Sequence, residues 1–321
     1  MPLFIHTFDT FDSSRFQALR EGQRHQAGNV TITHTGNRLA EVRMATGDAS
    51  LTVTLRKGGA IVSTILRGEE LFEKDQDYND LSQVTRTKGN PNIFPVFNQM
   101  PEGVMLEGAQ APLPNHGIAR HEPWQAFICL DLPSTLVLRL VSSEHTKIYY
   151  PYDFTYTQFI TLEAENLTIE QHIETEGAFS VGFHPYFRVG NKLDIEITGI
   201  ESGTRYWYLP NSLSKREKDA LIAEDRSLTY VPGKEGSLNF ATGEVNHHFD
   251  MTGQNHDVII MDPGLQRRLI LQRTANYQGL TLWSEAKASA VCVEPITDRS
   301  GRISRKSSPW VGCVCFRVEA L

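Results

Sequence analysis

Cysteine is scarce in this chain: four residues in 321, at Cys129, Cys292, Cys313 and Cys315. No pair of them has metal-ligand spacing, and four cysteines in so long a chain do not make a disulfide framework, so a cysteine-stapled secreted domain is excluded. Cys313 and Cys315 sit two apart in a strand-like segment and are expected to share one face as free thiols. Long apolar runs are missing too. The opening, MPLFIHTFDTFDSSRF, has no basic stretch ahead of an apolar one, so no secretory signal is expected. No segment has the length and apolarity of a transmembrane helix. Basic charge is in deficit, with 31 Lys and Arg against 38 Asp and Glu for a formal net charge of −7. The basic residues are scattered, which removes the electrostatic reason for a nucleic-acid or anionic-membrane partner. These absences point to a cytoplasmic protein with a neutral or locally captured small-molecule ligand.

Helix signals are few. The best is Ser214 with Glu217 three residues on, a capping box ahead of KREKDALIAE that reads as a charged surface excursion. No fixed-period repeat and no low-complexity linker divides the chain, so residues 1–321 are expected to form a single domain.

What the sequence has in quantity is alternation. Apolar residues make up 40% and charged ones 21%, which is enough for a sizeable core. Leu51, Val53 and Leu55 interleave with Thr52, Thr54 and Arg56, the pattern of a half-buried strand. Similar runs recur at 61–66, 136–141, 154–161, 167–173, 193–197, 268–271, 280–283, 290–293 and 313–318, bounded by Gly, Asn, Asp and Pro. Many strands without intervening helices predict an all-β fold, a large antiparallel β-sandwich. Two segments, roughly 75–121 and 210–250, break the alternation and read as long loops of the kind that carry binding sites.

Three short islands place an ionisable residue beside Gly or Pro: Pro114 to Arg120 (PNHGIAR), Phe183 to Phe187 (FHPYF), and Cys292 to Pro295 (CVEP). Taken singly, His116 reads as a loop histidine, His184 as a turn residue fixed by Pro185, and Glu294 as a surface carboxylate at a strand end. With Phe94-Pro95-Val96-Phe97 they form an ordered set of four that resembles the aldose 1-epimerase (galactose mutarotase-like) family, in particular its hexose-6-phosphate epimerase-like branch. The resemblance runs from about Leu51 to Val318. It implies a β-sandwich whose concave face holds a sugar or sugar phosphate. Glu294 would be the general base on the C1 hydroxyl, His184 the general acid at the ring oxygen, and His116 a group that holds or polarises the sugar.

The reaction explains the residue types. Opening a cyclic hemiacetal requires one proton to leave O1 and another to reach O5, which a carboxylate and a histidine accomplish together. Each such group contributes about 10²- to 10⁴-fold when its pKa lies near the working pH. Histidine meets that condition unaided, and Glu294 would be shifted upward by burial near Val293, Pro295 and Trp283. No metal and no organic cofactor is needed.

The resemblance also implies Arg120, Asn246, Phe97, Tyr186, Arg86 and Lys88 as substrate-binding residues. Asn246, in Asn246-His247-His248-Phe249, stands where family members carry an aspartate that binds sugar hydroxyls, and Asp250 is its substitute under a shifted register. Arg86 or Lys88, assisted by Arg120 or Arg188, would hold a phosphate. Solvated loop charges are an equally good reading of these residues, and Arg299, Arg302 and Arg305 read as a solvated loop. Of Phe94, Phe97, Tyr186 and Trp283, at most two are expected to touch ligand and the rest to be core. Two alternatives stay open. One is a non-catalytic sugar-binding or sugar-sensing protein, favoured by Asn246. The other is a polysaccharide hydrolase or lyase, which needs a second carboxylate or a basic tyrosine beside Glu294.

Overall fold

The computed structural model describes residues 13–75, 80, 88–100, 104–210, 212–232, 245–285, 289–298 and 308–321. They form an all-β sandwich of three antiparallel sheets. A six-stranded meander runs in chain order from Arg24–Ala27 to Glu69–Glu70. A nine-stranded sheet is built around Phe154–Leu162, Asn166–Thr175 and Trp310–Ala320. The third, eight-stranded sheet joins Arg205–Tyr208, Val245–Asp250, Gly279–Ser284 and Ala290–Ile296 to shorter pieces at Gly182–Phe183, Tyr186–Arg188 and Asn92–Ile93.

The alternating runs become strands because one set of side chains enters the core and the other does not. In Val30–His34 burial alternates residue by residue. The expected strand at 193–197 is displaced: Lys192–Asp194 is a 3-10 turn capped by the Asn191 side chain, and pairing begins at Glu196–Thr198. That cap competes with strand hydrogen bonding for the local N–H groups. The Ser214–Glu217 box opens a helix at Lys215–Ala223, with Glu217 accepting from the Ser214 N–H at 2.7 Å. Another short helix, Glu144–Lys147, carries a Ser143–Thr146 box that the charged-residue reading overlooked.

Aromatic packing holds the piece of core that supports the site. Phe94 is fully buried, with ring centroids 5.0 Å from Phe154, 5.5 Å from Tyr156 and 5.6 Å from Tyr150. Each such ring contributes about 1.5–3 kcal/mol by leaving water. Every residue of Ala290–Ile296 is buried. Val291 and Val293 face the main core, so Cys292, Glu294 and Ile296 point to the opposite face of that sheet. All four cysteines are buried and free, and Cys313 and Cys315 stand opposite Glu170 and Thr168 on the neighbouring strand. Among the described residues no helix is long and apolar enough to cross a membrane.

Candidate active site

Strand register assembles the polar face of the eight-stranded sheet in two rows. Thr281 stands between His248 and Glu294, and Trp283 between Asn246 and Cys292, which in turn stands opposite Tyr186. Residues opposite one another in an antiparallel pair share a face, so these side chains rise together. Gly182 pairs with Ile296 and Tyr186 with Cys292. His184 lies between those pairings, where Pro185 interrupts the strand, and its Nε2 is 3.4 Å from Glu294 Oε1. Glu294 is thus no strand-end surface carboxylate: it is 1% exposed, at the middle of the sheet.

The PNHGIAR loop closes over this pair. Gly117 has φ of 78° and lies so close to Phe94 that a Cβ would sit 2.2 Å from its carbonyl oxygen, so no other residue fits. That carbonyl accepts from the Ile118 N–H at 2.8 Å and the Ala119 N–H at 3.1 Å. The core position of Phe94 thereby sets the height of the loop. Nδ1 of His116 accepts from the Asn98 N–H at 3.3 Å, which leaves the ring proton on Nε2. The His116 and His184 rings meet edge-on at 5.1 Å, and His184 stacks on Tyr186 at 4.6 Å. Phe97 stands between His116 and His248, at 5.5 and 5.2 Å.

These groups line a cavity of about 700 Å³. Its wall includes Phe97, His116, Arg120, His184, Tyr186, Asn246, His248, Thr281, Trp283 and Glu294. Burial pushes the Glu294 carboxyl well above the ordinary carboxylate range, against the pull of the nearby Arg120 guanidinium. Burial, then Arg120, push the His184 imidazole down to about 3. His184 therefore does not titrate near neutrality, as a solvated histidine does, because desolvation disfavours its charged form. Burial lowers His116 as well, with His184 and Arg120 adding to the effect. Burial thus disfavours the charged form of both partners, the Glu294 carboxylate and the His184 imidazolium. Burial also keeps the Tyr186 hydroxyl protonated, with Cys292 and Glu294 adding to the shift.

The aldose 1-epimerase family model matches residues 42–305. The chain belongs to the aldose 1-epimerase family. All four islands fall inside the match. Over 96 residues the chain is 35% identical to a Salmonella typhimurium protein and 32% identical to an Escherichia coli K12 protein, both with the provisional name glucose-6-phosphate 1-epimerase. The matched stretch is 29% of this chain and only 32% of each relative's length. Among solved structures, the Slr1438 protein of Synechocystis superposes with a TM-score of 0.68 at 24% identity, over 85% of this chain and 92% of that one. A galactose mutarotase-like protein of Clostridium acetobutylicum gives 0.67 at 16% identity, over 88% and 95%. At such identities the likeness lies in the fold.

In this aldose 1-epimerase homologue, Asn246 occupies the cavity wall beside His248, while His247 stacks on Tyr208 on the opposite face. Asp250 lies outside the wall, its carboxylate accepting the Thr252 N–H at 3.1 Å, so it does not replace the family aspartate. Lys88 is also elsewhere, its ammonium paired with Glu73. Arg188 is absent from the wall as well. Arg86, Arg299, Arg302 and Arg305 lie outside the described residues. Of the four aromatics, Phe97, Tyr186 and Trp283 line the cavity, Phe97 also packing with Ile93 and Ile296 in a small core cluster, while Phe94 belongs to the main core.

Sequence reasoning missed the helix Lys215–Ala223 as part of the site. Lys218, Asp219 and Ile222 line the cavity, and Lys218 adds to the burial that holds His248 down to about 3. The 218, 219, 222 spacing is the only signal of a shared helical face. Among the described residues, His184, Cys292 and Glu294 bring three potential metal-ligating atoms within 4.8 Å of one another. No spacing along the chain announces that cluster.

Proposed function

We propose that this protein is an aldose 1-epimerase acting on a hexose or hexose 6-phosphate, as a single unit over residues 1–321 in the cytoplasm. The observation that carries the reading is the buried Glu294–His184 pair, 3.4 Å apart on the wall of the cavity. Glu294 takes the proton from the C1 hydroxyl while His184 delivers one to O5, and the C1–O5 bond breaks to give the open aldehyde. After rotation about C1–C2, O5 closes on the other face of C1 with the two proton transfers reversed. The carboxylate–imidazolium and carboxyl–imidazole arrangements contain the same single proton, so exchanging roles changes no net charge. His116, with its proton on Nε2, is placed to donate to a sugar oxygen. Tyr186 and Trp283 offer apolar ring faces for the sugar to lie against. Four free, buried cysteines suit a reducing compartment.

Proton exchange spectroscopy on the anomers of glucose and glucose 6-phosphate tests the activity directly. A protein that binds either sugar without accelerating anomerisation would be a sensor, the reading that asparagine at 246 favours. The pH profile tests the pair. Because His184 protonates only near pH 3, kcat/KM is expected to stay level from neutrality down through about pH 5. It shows no inflection at the ordinary histidine value of about 6.5. It declines on the alkaline side as Glu294 gives up its proton. A clear inflection near 6.5 would assign the acid step to a solvated histidine instead.

For the phosphate, the relatives' provisional names and one feature of the cavity favour tolerance. Among the described residues, the Lys and Arg side chains on its wall are Arg120 and Lys218. Arg120 lies beside Glu294 at the C1 end, so Lys218 on the helix is the cation available to a 6-phosphate. Lys218→Ala is expected to lower kcat/KM for glucose 6-phosphate about tenfold, roughly 1.4 kcal/mol, and to leave glucose unchanged. Equal losses for both sugars would show that Lys218 shapes the cavity without reading phosphate.

A further inference from the structure

The one buried cysteine in the site has no part in ring opening. Cys292 is fully buried, two residues from Glu294 on the same face of the same strand. Its cross-strand neighbours Tyr186 and Trp283 cover it from either side. We infer that His184, Cys292 and Glu294 form a three-donor site for a thiophilic divalent cation of the zinc class, and that its occupation switches the enzyme off.

Geometry supports the inference first. Tetrahedral zinc with bonds of about 2.0–2.3 Å places its ligand atoms roughly 3.3–3.8 Å apart. His184 Nε2 and Glu294 Oε1 already stand 3.4 Å apart, too far for a good hydrogen bond. The nitrogen, sulfur and oxygen donors all lie within 4.8 Å of one another, so side-chain movements of under about an ångström close the shell. A second, independent observation is the lack of competing partners. Glu294 Oε2 is buried and accepts no hydrogen bond, and Glu294 and His184 are both more than nine-tenths buried. The cavity, whose wall includes two of the three donors, His184 and Glu294, supplies a route in.

Ligand chemistry selects the ion. A thiol, an imidazole and a carboxylate suit zinc or cadmium and not magnesium or calcium, which take oxygen donors. On binding, the Cys292 thiol and the protonated Glu294 carboxyl each release a proton to solvent and become thiolate and carboxylate. Thiolate and carboxylate together neutralise the dication, which offsets repulsion from the nearby Arg120. Inhibition follows from the donors used: a metal on Glu294 and His184 occupies the lone pairs that must accept and deliver protons. That step rests on the catalytic roles proposed above, whereas the binding step does not.

The test uses full-length protein freed of metal with a chelator, titrated with zinc chloride by calorimetry and with cobalt(II) by absorption. One zinc per chain, a thiolate-to-cobalt charge-transfer band, and anomerase activity falling in step with zinc occupancy are expected. Cys292→Ser and Cys292→Ala are both made because the site is tightly packed, and the variant that keeps the parent's thermal midpoint is read. It is expected to keep the metal-free rate, lose the cobalt band, and bind zinc at least about tenfold more weakly, or 1.4 kcal/mol. Parental zinc affinity in that variant, a cobalt complex without the band, or no binding at all would overturn the site. Zinc that binds and leaves activity unchanged or raises it would overturn the switch. If metal-free protein shows no anomerisation on any aldose, the proposed function falls, while calorimetry and the cobalt band still decide the metal site.

Discussion

Glu294→Gln is expected to keep the fold and sugar binding while lowering kcat for anomerisation by about 10²- to 10⁴-fold, the usual contribution of one positioned acid–base group. The amide preserves the shape of a side chain that is 1% exposed in the middle of a strand but cannot take the O1 proton. Near-parental rates in chelator-treated protein would remove Glu294 from the reaction. The same variant carries a stability signature. Burial raises the Glu294 carboxyl in the folded state, so its contribution to stability is complete below the unfolded value of about 4.3 and fades as pH rises through the folded value. Glutamine does not titrate. Thermal midpoints of parent and variant are therefore expected to diverge in the variant's favour as pH increases above about 4.3. Such a gain at the expense of turnover is the usual mark of a functional buried charge.

His184→Asn is expected to lower kcat by a similar factor, about 10²-fold or more, with a smaller change in KM, through loss of the proton donor at O5. The imidazole stacks on Tyr186 and meets His116 edge-on, so some change in binding accompanies the loss. The ratio of the two effects is what discriminates. A rise in KM with kcat intact would make His184 a group that holds the sugar, and the O5 proton would then come from elsewhere. Burial lowers His184, so its contribution to stability is present above the ordinary histidine value of about 6.5 and is lost as pH falls through about 3. The variant's deficit or gain is therefore best measured near neutrality.

Much of the fold was legible because alternation with period two is a local property. Leu51 and Val53 are core for the reason their sequence neighbours are polar. The four islands were legible as types of residue, since a glycine after His116 and prolines after His184 and Glu294 restrict the backbone wherever they occur. The exact need for Gly117, however, comes from the Phe94 carbonyl, which a reader of the chain meets 23 positions earlier. Charge was the poorest guide. Lys88 looked available for a phosphate and is held by Glu73, while Lys218, dismissed with its charged helix, lines the cavity. Partner choice among surface charges depends on which loops meet, and no periodicity encodes it.

By itself the sequence determined an all-β chain, the strand faces, and a short list of ionisable residues proposed to open a hemiacetal. Tertiary structure alone decided that Glu294 and His184 are 110 positions apart in the chain and 3.4 Å apart in space. It also decided that Cys292 joins them and that the helix Lys215–Ala223 forms part of the wall. The division has a physical cause. Side-chain direction along a strand follows from local sterics and is written in neighbouring residues. Proton affinity follows from desolvation and from charges brought in by distant segments, and those exist only once the sheets have paired.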